Sequence, residues 1–452
     1  MGPASTYHCE WAWLGGDSAQ ADVVVHVEGE RIARVDIGVP ADNTPRGTVR
    51  LRGLTLPGLA NSHSHAFHRA LRSRTHGNGG TFWTWRDEMY ALAQTLDPDS
   101  YHRLARATFA EMVCAGITCV GEFHYLHHDR DGVRYSDPNA MSHALISAAA
   151  EAGLRITLLD TCYLSGGIGV ELNTIQQRFS DGTVDAWVDR VESIRRSDLV
   201  AGAKIAAAIH SVRAVTPDPI GVVAAWAARE ERPLHAHVSE QPAENEQCMR
   251  AYGRSPMRVL ADQGALTRNF SAVHATHLVE ADLELLSAAG ARVCLCPTTE
   301  RDLADGIAPT AQLRASGVPI TLGSDSHAMI DLFEEARAVE MGERVTTLQR
   351  GTHTVAALLG AATHEGHGSL GWSDAGRIAV GALADLVSVS ADTVRTASMN
   401  CENALATAVY AASPTDIHHV VVAGRVVVAD HRHQTIDVVS ELRRSIAEVT
   451  GK

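Results

Sequence analysis

The chain has 452 residues, 45% of them apolar and 20% charged, which is ample material for a large core. Its formal charge of −14 repels phosphate, so nucleic acid and anionic membrane are poor partners, and an anionic substrate would need local arginines to oppose that field. No stretch approaches the ~20 apolar residues of a membrane span. No basic start leads into an apolar run, and the eight cysteines include no CxxC pair, which reads as reduced thiols in a cytoplasmic protein.

Residues 21–52 alternate apolar and polar side chains between turn signals, the pattern of short antiparallel strands. Eight apolar, β-branched runs then follow at helix-sized intervals: 54–65, 118–125, 155–163, 204–211, 233–240, 271–278, 291–299 and 318–326. Helical segments such as 100–116 and 221–231 lie between them. A doubly wound sheet would give the same alternation, but the count of eight favours a parallel (β/α)₈ barrel of the TIM type. Alternating strands return at 376–390 and 417–430. The expected organisation is therefore an α/β protein: a barrel over 54–373, and a small β-sandwich-like domain built from both termini, 1–53 and 374–452. Cys294 and Cys296 alternate along an apolar strand and read as core residues.

Histidine is abundant, with 24 copies. His102, His127, His128, His353, His364, His367, His418, His419, His431 and His433 fall on polar or loop-like segments and read as surface residues. The informative ones lie at strand ends. His63 and His65 stand two apart in HSH at the end of the first barrel strand, so both point to the interior at the rim where barrels carry their chemistry. The fifth strand ends HAHVSE, adding His237 with Glu240 three residues on. The sixth carries His274, and the eighth ends GSDSH, offering Asp325. His63, His65, His237 and Asp325 make one four-ligand set for a single divalent ion, most simply zinc. The competing reading is that these polar residues merely satisfy one another at the barrel mouth.

Such an ion would acidify a water. Asp325 is placed to take a proton from that water and His274 to orient it. Glu240, beside a ligand without being one, is the expected proton shuttle to a leaving nitrogen.

HxH, HxHxxE, HxxH and SDSH on the first, fifth, sixth and eighth strands resemble the amidohydrolase superfamily over essentially the whole chain. Members with two ions bridge them with a lysine at the end of the fourth strand. Here that strand ends in His210, and Lys204 lies at its opposite end, which implies one ion. Within the superfamily, FWTWRDEMY (82–90), EFHYLHHDRDG (122–132), HSVRAVTP (210–217), HVSEQ (237–241), VHATH (273–277), DGIAP (305–309) and GSDSH (323–327) resemble the formimidoylglutamate deiminases of histidine breakdown. By that resemblance Arg86, Tyr125, His210 and Arg213 bind a dicarboxylate amidine, and the chain forms a homodimer. The two arginines suit carboxylates by their bidentate geometry.

Two departures stand out. His68 occupies a position where the family has glutamine; it either contacts a substrate carboxylate, more tightly when protonated, or only lines the mouth. TTERDL (298–303) replaces STEANL and adds Arg301 and Asp302 near the mouth. A purine-type deaminase would keep the same metal set without needing two arginines. A metal-binding scaffold would give Glu240 and His274 no task.

Overall fold

The computed structural model describes residues 4–76, 79–196 and 200–451. Strands β1 (Ala4–Ala12), β2 (Gln20–Glu28), β3 (Arg31–Ile37) and β4 (Val49–Pro57) precede the barrel strands β5 (Leu59–Ser64), β6 (Ile117–His124), β7 (Arg155–Cys162), β8 (Ala203–Ile209), β9 (Leu234–Val238), β10 (Phe270–His274), β11 (Arg292–Leu295) and β12 (Ile320–Leu322). After them come β13 (Leu386–Val389), β14 (Ile417–Val422), β15 (Arg425–Ala429) and β16 (Arg432–His433).

Strands β5 to β12 pair in sequence order, each parallel to the next. The backbones of His63 and Asp325 close the ring: Asp325 N donates to His63 O at 3.0 Å, and His65 N donates to Asp325 O at 3.3 Å. Every residue of β5, β6, β7, β9 and β10 is buried. Strands covered on both faces need apolar residues at successive positions, which is why the sequence runs are continuous rather than alternating. The helix Pro98–Cys114 begins where Asp97 accepts from Ser100 N at 2.8 Å and proline takes the first turn.

The expected first barrel run, 54–65, is two strands. It breaks at Gly58, where a Cβ would meet Thr118 Oγ1 at 2.1 Å, so only glycine allows β5 to enter so close to β6. Residues before it belong to the terminal sheet, whose order is β16-β15-β14-β13-β4-β1-β2-β3. That sheet draws on both termini and is mixed: β1 lies parallel to β4, where the alternation suggested antiparallel pairing throughout. Direction is set by the connection, and the strand pair β2–β3 intervenes between β1 and β4.

The two bodies are joined by a buried ion pair. Arg155 Nε, at the start of β7, donates to Asp385 Oδ2 at 2.8 Å. On the barrel's flank Arg190 is buried between Asp160 and Asp181, at 2.8 and 3.0 Å. Deleting one partner of such a pair leaves an uncompensated charge and costs about 3–5 kcal/mol. No helix among the described residues is long and apolar enough to cross a membrane.

Several histidines assigned to the surface are interior. His127, His128, His353, His367 and His433 are all buried. His127 Nε2 donates to Thr161 O at 2.9 Å, His128 Nε2 meets Asp181 Oδ1 at 3.0 Å, and His433 Nε2 donates to Ala152 O at 3.0 Å. Flanking polarity misled because these segments fold back over the barrel, and the backbone carbonyls they meet are distant in sequence.

Candidate metal centre and active site

The barrel's C-terminal rim gathers His63 on β5, His65 just beyond it, His237 on β9, His274 at the end of β10 and Asp325 just past β12. His63 Nε2 lies 3.1 Å from His237 Nε2 and 3.3 Å from Asp325 Oδ1, and His65 Nε2 lies 3.4 Å from the same oxygen. Gly323 permits this convergence: a Cβ there would meet His63 Cβ at 2.8 Å and Cys296 Sγ at 2.9 Å. Asp325 and His274 both hold positive φ, 40° and 69°. Such strain persists only where the surroundings impose it, and it clusters at working sites.

The tautomers follow from the outer nitrogens. His65 Nδ1 donates to Phe123 O and His237 Nδ1 donates to His210 O, each at 2.9 Å. A carbonyl can only accept, so each neutral ring turns a bare Nε2 lone pair inward. Burial, then the neighbouring His63, lowers His65 to about 3, and the same two causes put His237 well below its ordinary value. Burial lowers His63 as well. Burial opposes charge on Asp325, but His63, His274 and His65 outweigh it and hold the carboxylate ionised. The bare nitrogens of His65 and His237 and the ionised Asp325 converge on His63, and they repel one another unless a cation takes their lone pairs. Three nitrogens and one oxygen are the donor set a zinc-type ion prefers. The residues therefore fit such an ion.

Every expected ligand, catalytic or substrate-binding residue except His63 lines one cavity of about 300 Å³. His63 is fully buried behind it. His274 Nε2 stands 3.7 Å from Glu240 Oε1 and 4.0 Å from Asp325 Oδ2, and its Nδ1 is 3.4 Å from Glu300 Oε1. Burial disfavours its charge, but Glu240, Glu300 and Asp325 together hold the imidazole well above its ordinary value, as a cation.

The two arginines differ. Arg213 Nη2 donates to Glu240 Oε2 at 3.0 Å, and its Nε is 3.4 Å from Glu244 Oε2, an ion pair too poorly aligned for a hydrogen bond. Arg86 sits on the helix Phe82–Ala93. Its guanidinium carbon lies 4.5 Å from the Trp83 ring centroid and 5.4 Å from that of Tyr90, its Nε is buried without a partner, and no carboxylate among the described residues pairs with it. Arg301 and Asp302 do not pair with each other. Arg301 reaches Glu334 at 3.0 Å, and Asp302 reaches His76 at 2.6 Å.

Tyr125 and His68 face each other, hydroxyl to Nε2 at 3.1 Å, and His68 Nδ1 is buried without a partner. Burial, then the neighbouring His65, holds His68 well below the ordinary histidine range. A cation beside it would depress it further. Burial therefore works against the reading in which His68 binds a substrate carboxylate more tightly when protonated and favours a neutral, hydrogen-bonding ring at the mouth. His210 edges onto Tyr163 and His237, with centroids at 4.6 and 5.1 Å, and its carbonyl also orients a metal-type ligand. Lys204 sits at the start of β8, its ammonium bound to Gly371 O and placed 4.0 Å over the Trp372 ring. It is far from the rim end of that strand.

Three supporting carboxylates escaped the sequence reading. Glu122 on β6 accepts from Ser64 Oγ and Ala66 N, both at 2.6 Å, and burial pushes it up to about 8. Glu300 accepts from Cys296 N at 2.8 Å while facing His274. Glu244 flanks Arg213. Glu122 and Glu300 lie inside segments already noted for their motifs and Glu244 lies three residues beyond one, but a carboxylate that orients another residue leaves no spacing signature of its own.

The model of the "Amidohydrolase family" matches residues 54–427. The chain is 36% identical to a formimidoylglutamate deiminase of Pseudomonas aeruginosa over 87% of its length and 88% of the relative's. It is 28% identical to a 5-methylthioadenosine/S-adenosylhomocysteine deaminase of Natronomonas pharaonis, over 88% of each chain. Among solved structures, an amidohydrolase from Brucella melitensis superposes with a TM-score of 0.88 at 30% identity, covering 99% of this chain and 100% of that one.

Proposed function

The chain belongs to the amidohydrolase family, a metal-dependent hydrolase of carbon–nitrogen bonds, and from that premise we propose that it hydrolyses N-formimidoyl-L-glutamate to N-formyl-L-glutamate and ammonia in histidine breakdown. The observation that carries the choice of substrate is Arg86, a guanidinium in the cavity wall with aromatic support and no carboxylate partner of its own. In a chain of net charge −14, an arginine that faces a cleft with no carboxylate partner among the described residues is best explained by an anionic ligand. The deiminase relative at 36% identity supports the same reading.

His63, His65, His237 and Asp325 would hold one zinc-type ion, which supplies the Lewis acidity that makes water nucleophilic at neutral pH. Asp325 receives a proton from the attacking water. His274, held between Glu240 and Asp325, orients that water and steadies the negative charge that develops on its oxygen. Glu240 relays to the terminal nitrogen the protons that the water gives up, directly and by way of Asp325; the carbon–nitrogen bond breaks, the attacking oxygen becomes the formyl carbonyl, and ammonia leaves. Arg86 takes one substrate carboxylate. Arg213 serves the other while remaining paired with Glu240. Tyr125, His68 and His210 supply hydrogen bonds to the chain between them. A homodimer in the cytoplasm completes the proposal and rests on likeness to the deiminases.

The purine-type alternative has support in the 28% identical 5-methylthioadenosine/S-adenosylhomocysteine deaminase. The test is ammonia release by metal-loaded protein from formimidoylglutamate, guanine, 5-methylthioadenosine and simple amidines. Formimidoylglutamate is expected to be turned over fastest, giving N-formylglutamate. Faster turnover of a purine overturns the substrate, and formamide with free glutamate overturns the leaving group.

A further inference from the structure

The terminal sheet carries a second convergence of imidazoles, independent of the proposed activity. In the β13–β14 pair, Ser388 faces His419 and Val389 faces Ile417, so His418 is the extra residue of a β-bulge. Neighbouring side chains on a regular strand point to opposite faces, and a bulge re-aims one of them. Here the two imidazoles meet, Nδ1 to Nδ1 at 2.6 Å. One of those nitrogens must be bare.

A turn brings further donors. In the β15–β16 hairpin, Ala429 pairs with Arg432, leaving Asp430 and His431 as a two-residue loop with φ of 50° and 63°. Both residues thus sit in a turn whose positive φ values favour Asn-Gly or Asp-Gly, and a histidine at its second position is costly. His431 N donates to His418 O at 3.2 Å, docking the turn on the bulge. Asp430 Oδ1 lies 3.1 Å from His418 Nε2, and the His431 ring meets that of His418 edge-on at 5.1 Å. Donor atoms of His418, His419 and Asp430 all fall within 4.8 Å of one another. From outside the cluster, Arg52 and Asp392 act on His418 with opposite sign. The catalytic rim is at the other end of the barrel: Ile417 packs at Gly116, just before β6 begins.

We propose that His418, His419 and Asp430, with His431 beside them, form a second site for a divalent transition cation, which staples the bulge of β14 to the hairpin tip at 430–431. Imidazole donors select zinc, nickel or copper over magnesium or calcium. The site is open to solvent, with Asp430 83% exposed, so its ion exchanges freely, unlike one held in the barrel. A cation that binds only the folded sheet raises its stability by mass action.

The experiment uses full-length protein with the barrel site loaded, stripped of loosely held metal and titrated with Zn²⁺. Wild type is expected to take up one further Zn²⁺ per chain and to melt higher as free Zn²⁺ rises, with no response to Mg²⁺. The doubly changed His419→Gln, Asp430→Asn protein should lose that uptake and that shift. It should keep wild-type kcat/KM and its chelator-resistant ion, because asparagine tolerates the turn. Equal uptake by variant and wild type, or no uptake beyond the tightly held ion, overturns the proposal.

Discussion

Arg213 donates to Glu240 across 3.0 Å, so the side chain expected to grip a substrate carboxylate is already held by the one expected to move the proton. Burial opposes its charge, but Glu244 and Glu240 raise Arg213 above its ordinary value, so the guanidinium is locked in place before substrate arrives. Arg86 has no such commitment. The two arginines should therefore respond differently to removal, although both line the same cavity.

Arg86→Met is expected to raise KM for a dicarboxylate while leaving kcat nearly unchanged, the mark of lost ground-state binding. Arg213→Met should lower kcat as well, with kcat/KM falling by about 2–5 kcal/mol, because two buried carboxylates lose their common partner. Its Tm should fall too. Steady-state kinetics on both variants decide the matter: matching KM-only effects would return Arg213 to simple substrate binding.

Glu240→Gln should cut kcat by about 10²–10⁴, the usual worth of a positioned acid–base group. Metal content should be unchanged, because Glu240 reaches His274 and Arg213 rather than the converging ligand atoms. Loss of the ion from this variant, measured by elemental analysis, would place Glu240 among the ligands instead.

The His63–His237 contact at 3.1 Å makes metal loading testable apart from turnover. One tightly held ion per chain is expected. Strong chelation should abolish activity and lower Tm, since bare lone pairs are then left facing one another. His237→Ala should lose the ion while its barrel still folds, as judged by circular dichroism. A second ion that resists chelation as strongly as the first would sink the single four-ligand set.

Much of this was legible beforehand, for reasons that differ by residue. His63, His65, His237, His274 and Asp325 announce themselves because a strand end fixes where a side chain points, and barrel topology brings distant strand ends to one rim. Glu300, Glu122 and Glu244 were hidden because they act through other residues. Arg213's pairing was hidden because it depends on how the turns after β8 and β9 approach each other. The buried histidines misled for a related reason: local polarity reports solvent contact only where the chain does not fold back over itself. His68 was placed correctly at the mouth, but its charge state depends on a cage of neighbours that no spacing reveals.

Acid should weaken the fold through His127. His127 is fully enclosed, donates to Thr161 O at 2.9 Å, and is brought down to about 4 from 6.5, first by burial and then by Arg190. The unfolded chain therefore binds a proton at His127 that the folded chain refuses between those two values. Stability from this group is complete above about pH 6.5 and is lost as pH falls toward about 4, reaching on the order of 3 kcal/mol for a shift of that size. His127→Gln keeps an amide donor for Thr161 O and removes the titration. Its midpoint will be lower at neutral pH if packing suffers, so the measurement is the slope. Plots of unfolding free energy against pH from 7 to 4.5 should be shallower for the variant by up to one proton's worth, at pH values where the fold remains cooperative. Parallel plots for the two proteins would mean that His127 is protonated in the folded chain, with Asp160 and Asp181 compensating Arg190 and the imidazole together.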